Sequence, residues 1–175
     1  MEYVALLRGI NAGKLRRVEM KKLKVLFEAL EYANISTYIN SGNVIFESSK
    51  NKTAIQREVK SIFKKEFRFE IPTLIKTKNE MQKIATAIPE DWQNDTKQRT
   101  DVVYLFDKID SKNIINELPV NRKFIDVRYV KGAVFWNIDR KNLDKSRLNR
   151  LIGYTLYQYM TVRNVNTARF LANLK

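Results

Sequence analysis

A segment that could grip phosphate lies near the start of the chain: Gly9-Ile10-Asn11-Ala12-Gly13-Lys14, followed by Arg16 and Arg17. A Walker A loop needs four residues between its glycines and a Ser or Thr after the lysine, to cradle phosphates and hold magnesium. Here Ile10, Asn11 and Ala12 alone separate the glycines and Leu15 follows Lys14, so the spacing departs from that motif. What remains is a glycine-containing loop with three cations ahead of a helix, where free backbone donors and the helix dipole favour an anion. An ordinary exposed basic loop would carry the same residues.

Three further clusters bear on chemistry. In Thr161-Val162-Arg163-Asn164-Val165-Asn166-Thr167, capping of the following helix accounts for Asn164, Asn166 or Thr167. It does not account for Arg163, whose planar guanidinium could hold a carboxylate or phosphate with two hydrogen bonds. A helix expected from about Asp144 to Met160 would align Arg147, Arg150, Tyr154 and Tyr157 on one face. Such a face suits phosphates and stacked bases, and equally a neighbouring subunit. The stretch Lys131 to Trp136 is faintly similar to the RNA-recognition-motif strand signature, with Ala133 and Ile138 where its other stacking aromatics would stand. Among carboxylates, Asp101 and Asp107 bracket one strand and Asp139 follows another, a set that a small magnesium-dependent enzyme acting on a phosphorylated substrate could use.

Composition narrows these options. With no Cys and no His, thiolate metal centres, disulfides, cysteine nucleophiles and imidazole acid–base catalysis are excluded. The net charge of +14 is uneven. Residues 8–24 hold seven basic side chains against Glu19, residues 120–175 hold twelve against three acids, and residues 25–119 balance. A potential concentrated in two segments suits an anionic partner; two solvated basic helices would give the same count. No stretch approaches the 18 apolar residues of a membrane span, and Met1-Glu2-Tyr3 lacks a basic leader region, so a cytoplasmic protein without membrane contact is expected.

The elements that must position these residues follow a regular order. Residues 2–8 read as a buried strand, and Met20, Leu23, Leu26, Phe27 and Leu30 fall at helical spacing. Strands at 35–40 and 43–47 meet at the turn pair Ser41-Gly42. Thr53 with Gln56 forms a capping box that opens a helix bearing Ile55, Val59, Ile62 and Phe63, and residues 71–76 close the unit as a strand. Thr77 with Glu80 opens a further helix, and a polar connection, 89–100, leads into a second pass. That pass comprises strand 101–106, helix 111–118, strands 124–130 and 133–138, and the long helix, with a last helix from about Thr167. The sequence therefore predicts an α+β chain of two tandem ferredoxin-like (βαββαβ-type) halves, 1–78 and 79–175, with antiparallel sheets and an added C-terminal helix.

The blocks Tyr3–Asn11 (YVALLRGIN), Tyr38–Phe46 (YINSGNVIF) and Thr161–Thr167 (TVRNVNT) together resemble the bacterial domain-of-unknown-function 1697 family. The resemblance spans the whole chain and implies ferredoxin-like halves and no established activity. Ala12 and Lys14 stand where that family usually has Val and a second Gly, and Val165 stands where an aromatic is common.

The functional expectation is a binding module, with the enzyme and a protein-interaction scaffold as alternatives. Its partner would be a nucleic acid or a phosphate-bearing ligand. The candidate anion-binding residues are Arg8, Asn11, Lys14, Arg16 and Arg17, then Ser41 and Asn43, and in the second basic segment Arg147, Arg150, Arg163, Asn164 and Asn166. No cofactor or metal is expected, no catalytic residue is assigned, and the oligomeric state is left open.

Overall fold

Alternation in the first strand sends Tyr3, Ala5 and Leu7 to one side of a sheet, where they meet the apolar stripes of two helices. The computed structural model describes residues 1–13 and 16–173; the expectation for Lys14 lies outside them. The chain divides into two compact units, Met1–Lys78 and Asn79–Lys175.

The first unit runs β1 (Glu2–Leu7), α1 (Met20–Glu28), β2 (Ala33–Tyr38), β3 (Asn43–Glu47), α2 (Lys52–Glu66) and β4 (Thr73–Thr77). Its antiparallel sheet has the order β2-β3-β1-β4. Tyr3, Val44, Phe46 and Ile75 pack under Leu23 and Phe27 of α1 and Ile55, Val59 and Phe63 of α2. Aromatic contacts centre on Phe46, with Tyr32 stacked at 4.8 Å and Phe27 edge-on at 5.0 Å, each adding about 0.5–1.5 kcal/mol beyond burial. The cap of α2 is Asn51, whose side chain accepts from the Ala54 N–H at 2.9 Å, so the helix starts ahead of the expected Thr53 box.

The second unit contains α3 (Lys78–Thr86, which opens it), β5 (Gln98–Leu105), α4 (Ile114–Glu117), β6 (Asp126–Val130), β7 (Ala133–Asp139), α5 (Leu143–Ser146), β8 (Met160–Asn164) and α6 (Val165–Ala172). Its sheet, ordered β6-β7-β5-β8, repeats the first position for position. Val103, Leu105, Val134, Trp136 and Met160 form its core with Ile114, Leu118, Leu148 and Leu151. The expected helix 111–118 is only the single turn α4, preceded by a 3-10 turn at Asp107–Ile109.

The expected long helix from Asp144 to Met160 does not form. The Ser146 hydroxyl donates to the Leu143 carbonyl at 2.5 Å and accepts from the Leu148 N–H, competing with the helical ladder. The Ser146 carbonyl accepts from Asn121 N–H at 2.7 Å instead of continuing that ladder. Arg147 then turns left-handed with φ 60°, and two 3-10 segments, Leu148–Gly153 and Thr155–Tyr159, are separated by the extended Tyr154. Gly153, β-branched Ile152 and Thr155, and three tyrosines favour this break. The residues after it form β8, a strand absent from the sequence expectation.

The repeat extends to backbone detail. Leu7 N–H donates to the Gly42 carbonyl at 2.8 Å, and Leu105 N–H donates to Gly132 at 3.0 Å. Arg8 N–H donates to Pro72 and Phe106 N–H to Tyr159, at 2.9 and 3.0 Å. Register pairs Val4 with Lys76 and Val102 with Arg163, so two buried cations occupy equivalent sites. β4 runs directly into α3 and β8 into α6.

Candidate functional site

A corner rich in arginine lies where β1 ends, with Arg8, Arg16 and Arg17 in the segment that follows. The loop after Leu7 reverses by left-handed residues at Gly9, Asn11, Gly13 and Arg16, with φ of 70°, 54°, 75° and 55°. Asn tolerates this conformation better than most residues because its short side chain bonds locally. Asn11 is the tie. Its Nδ2 donates to the carbonyls of Val18 at 2.8 Å and Asn40 at 2.9 Å, its Oδ1 accepts from Val18 N–H at 2.8 Å, and its own N–H donates to Arg16. The loop is thereby closed on itself and fastened to the β2–β3 turn.

That turn is built for close approach. A Cβ on Gly42, φ 80°, would lie 2.7 Å from Ile10 Cδ1 and 2.8 Å from Leu7 Cβ. Ile39, 48% exposed, is held left-handed at φ 47°, a strained conformation for a β-branched residue. Asn43 is fully buried and donates through Nδ2 to the Tyr38 carbonyl at 2.9 Å and to Ser41 Oγ at 3.1 Å. Ser41 and Asn43 thus shape the turn, and the Gly9–Asn11 and Ser41–Asn43 blocks meet in space.

The cations surround this frame. Arg8 is half-buried at the strand end, and Arg16 and Arg17 are exposed. Neither Arg16 nor Arg17 makes an ion pair among the described residues, and no acid occurs between Arg8 and Val18. The Arg16 guanidinium lies 5.9 Å from the Phe69 ring centre, and Lys22 Nζ lies 4.9 Å from that of Phe67. Phe67, Arg68 and Phe69 were not among the expected site residues, although the alternation of aromatic and cation after α2 was available in the sequence. Glu19 precedes α1 and supplies a negative charge at its N-terminus, so the side chains rather than the helix dipole make this corner attractive to anions.

In the second unit the candidate residues serve different ends. Arg163 is 6% exposed and donates to Thr161 Oγ1 at 3.0 Å and to the Val162 carbonyl at 2.8 Å. Burial lowers its pKa to about 10, with the Tyr104 phenol acting in the opposite direction, so it stays charged at neutral pH. Asn164 is the cap of α6, accepting from Thr167 N–H at 2.9 Å, while Asn166 is exposed in the first turn. Arg147 and Arg150 are exposed, but Tyr154 and Tyr157 pack partly against the second core. The expected Arg and Tyr face is lost with the long helix. Phe135 and Trp136 are each 1% exposed, which leaves no stacking platform on β7.

The carboxylates are similarly committed. Asp101 accepts from Arg99 Nε at 2.7 Å and from Trp136 Nε1 at 3.2 Å, and Asp139 pairs with Lys141 at 3.2 Å. No group of three or more acids that could hold a metal occurs among the described residues. An open polar groove of about 720 Å³, lined by Arg122, Lys123, Phe124, Asn137 and Asn142 among others, lies beside the end of β7.

The corner after β5 corresponds to the one after β1, but a carboxylate ties it. Asp110 Oδ1 accepts from the Tyr129 hydroxyl and from Gly132 N–H, both at 2.9 Å, and Oδ2 pairs with Lys131 at 2.9 Å. Burial, the largest single influence, raises its pKa, but Gly132, Lys131 and Tyr129 together carry it below the ordinary carboxylate value. One corner is closed by a neutral amide and surrounded by cations; the other is closed by an anion.

These features define a duplicated ferredoxin-like α+β protein whose distinguishing site is a cationic, amide-tied corner. No helix among the described residues is long and apolar enough to cross a membrane. The chain belongs to the family described as "Protein of unknown function (DUF1697)", whose pattern matches residues 1–136 and so includes the Gly9–Asn11 and Ser41–Asn43 blocks but stops short of Arg163. It is similar to the structure of the conserved bacterial protein SP0830 from Streptococcus pneumoniae, with a TM-score of 0.86 and 23% identity over 98% of this chain and 96% of that one. At that identity the likeness concerns the fold. A comparison with curated proteins gave no match.

Proposed function

We propose that the protein is a cytoplasmic binding module for an anionic partner, a nucleic acid or a phosphorylated ligand, engaged by the corner after β1. The observation that carries this reading is the contrast between the two equivalent corners. Asn11 performs in the first unit the fastening that Asp110 performs in the second, without placing a negative charge beside Arg8, Arg16 and Arg17. The exposed guanidinium groups of Arg16 and Arg17, without ion pairs among the described residues, can exchange water for phosphate oxygens with two hydrogen bonds each.

The test is binding of a labelled oligonucleotide or nucleotide as ionic strength rises. Affinity should fall steeply with salt, and for a single strand the slope of log K against log salt should lessen by about 0.7 for each phosphate contact removed. Arg16→Ala with Arg17→Ala should therefore reduce both affinity and slope. Absence of measurable binding at low salt would refute the proposal.

A further inference from the structure

We infer that the anion is a single-stranded nucleic acid, with bases stacking at the Phe67 and Phe69 rings while Arg16, Arg17, Lys22 and Arg68 take the phosphates; this rests on the anion-binding reading. Phe67 ends α2, its N–H donating to the Phe63 carbonyl at 2.9 Å, and the chain then continues through Arg68 and Phe69. The two rings are 5.9 Å apart and tilted by 34°, and both are half-buried. Phe67 leans edge-on against buried Phe63 at 5.6 Å, which anchors the aromatic pair to the core.

Each ring carries a cation: Lys22 on Phe67 and Arg16 on Phe69. With the Lys22 ammonium 4.9 Å and the Arg16 guanidinium 5.9 Å from the ring centres, phosphate donors stand beside each ring, and alternating rings and cations are what a flexible strand with separate phosphates and bases requires. The Lys22 to Glu66 pair, 3.7 Å with both side chains exposed at 44% and 36%, is weak enough for a phosphate to replace. A duplex hides its base faces and would use only the cations. A polyphosphate would do the same.

The experiment compares three probes at low salt by fluorescence anisotropy and competition: a single strand of about 12 nucleotides, a blunt duplex of equal length, and inorganic polyphosphate. The single strand should bind at least about tenfold tighter than the duplex, although the duplex carries more charge per unit length. The double variant Phe67→Leu and Phe69→Leu should lose about tenfold or more for the strand, since each stacked base contributes roughly 1–3 kcal/mol, and should keep polyphosphate binding unchanged. Phe69→Trp restores a ring next to Arg16, and its fluorescence should be quenched when the strand is added. Equal affinity for all three probes, or strand addition without quenching in Phe69→Trp, overturns the single-strand inference while anion binding stands. No binding of any probe overturns both.

Discussion

Replacing Gly42 by alanine tests whether the junction of the two loop blocks depends on contact distance or only on backbone conformation. The new methyl would sit 2.7 Å from Ile10 Cδ1 and 2.8 Å from Leu7 Cβ, against an optimum of about 3.5–4.0 Å for carbon pairs. Ile10 can swing its terminal methyl away. Leu7 cannot, because its Cβ is fixed to a strand paired on both sides and its N–H donates to the Gly42 carbonyl. The left-handed φ costs an alanine about 1–2 kcal/mol, overpacking a further 1–3, and the strained Leu7 hydrogen bond about 1. The stiffer unfolded chain returns about 0.4–1 kcal/mol. The expected net destabilisation is roughly 2–5 kcal/mol.

Gly13 supplies the control, for its φ of 75° is nearly that of Gly42 but no atom of the described residues lies within 4 Å of a Cβ there. Gly13→Ala should cost only about 1 kcal/mol. Both tryptophans, Trp92 and Trp136, belong to the second unit, so denaturant unfolding of the first must be followed by far-ultraviolet circular dichroism. Equal losses in the two variants, within about 0.5 kcal/mol, would refute the claim that close approach of Gly42 to Leu7 and Ile10 holds this corner.

Two other substitutions probe the ties themselves. Asn11→Asp keeps an acceptor for Val18 N–H but faces the Val18 and Asn40 carbonyls with a carboxylate; it should destabilise by about 2 kcal/mol in denaturant titration and abolish oligonucleotide binding measured by anisotropy. Asp110 titrates below its ordinary value of 3.8, so its contribution is present above that pH and lost as pH falls through the lower, folded-state value. Asp110→Asn should therefore be less stable than the parent at pH 7, with the gap in thermal midpoints closing below about pH 4; a gap that is constant with pH would show that the charge contributes nothing.

Much of the frame was legible because β1, β3, β5 and β7 are apolar runs, with Gly9 after β1 and Gly42 and Gly132 directly before β3 and β7, and the helices α1 and α2 have clear stripes. β8 was not legible. Its core side holds only Met160 and Val162, and the opposite face carries Thr161 and Arg163, both buried, so a short strand with one polar buried face read as a loop. The failed helix had good apolar spacing, but Ser146 gave its carbonyl to Asn121, a contact between residues 25 positions apart that no local pattern contains. The candidate site divides in the same way. Arg16 and Arg17 were visible as charge, whereas the role of Asn11 depends on the Val18 and Asn40 carbonyls, and Phe67 and Phe69 enter through a packing contact across the fold.

The duplication separates what the architecture needs from what a function would vary. Both units close the corner with the same two backbone bonds, from the last strand residue to a turn glycine and from the next residue to the chain entering the last strand. Both place a buried cation opposite a valine, Lys76 beside Val4 and Arg163 beside Val102. Such shared features are explained by the fold. Beyond that frame the corners diverge: after β1 a left-handed loop tied by an amide, with Arg16 and Arg17 making no ion pair among the described residues, and after β5 a 3-10 turn and a carboxylate satisfied by Lys131, Tyr129 and Gly132. An aspartate at the first corner would keep only the bond from Val18 N–H and would face the Val18 and Asn40 carbonyls with a carboxylate, so the backbone here calls for a donor where the second corner, with Gly132 N–H, calls for an acceptor. The neutral amide adds no negative charge beside Arg16 and Arg17, and like-charge repulsion between such neighbouring cations is a cost to the folded chain that a bound anion removes.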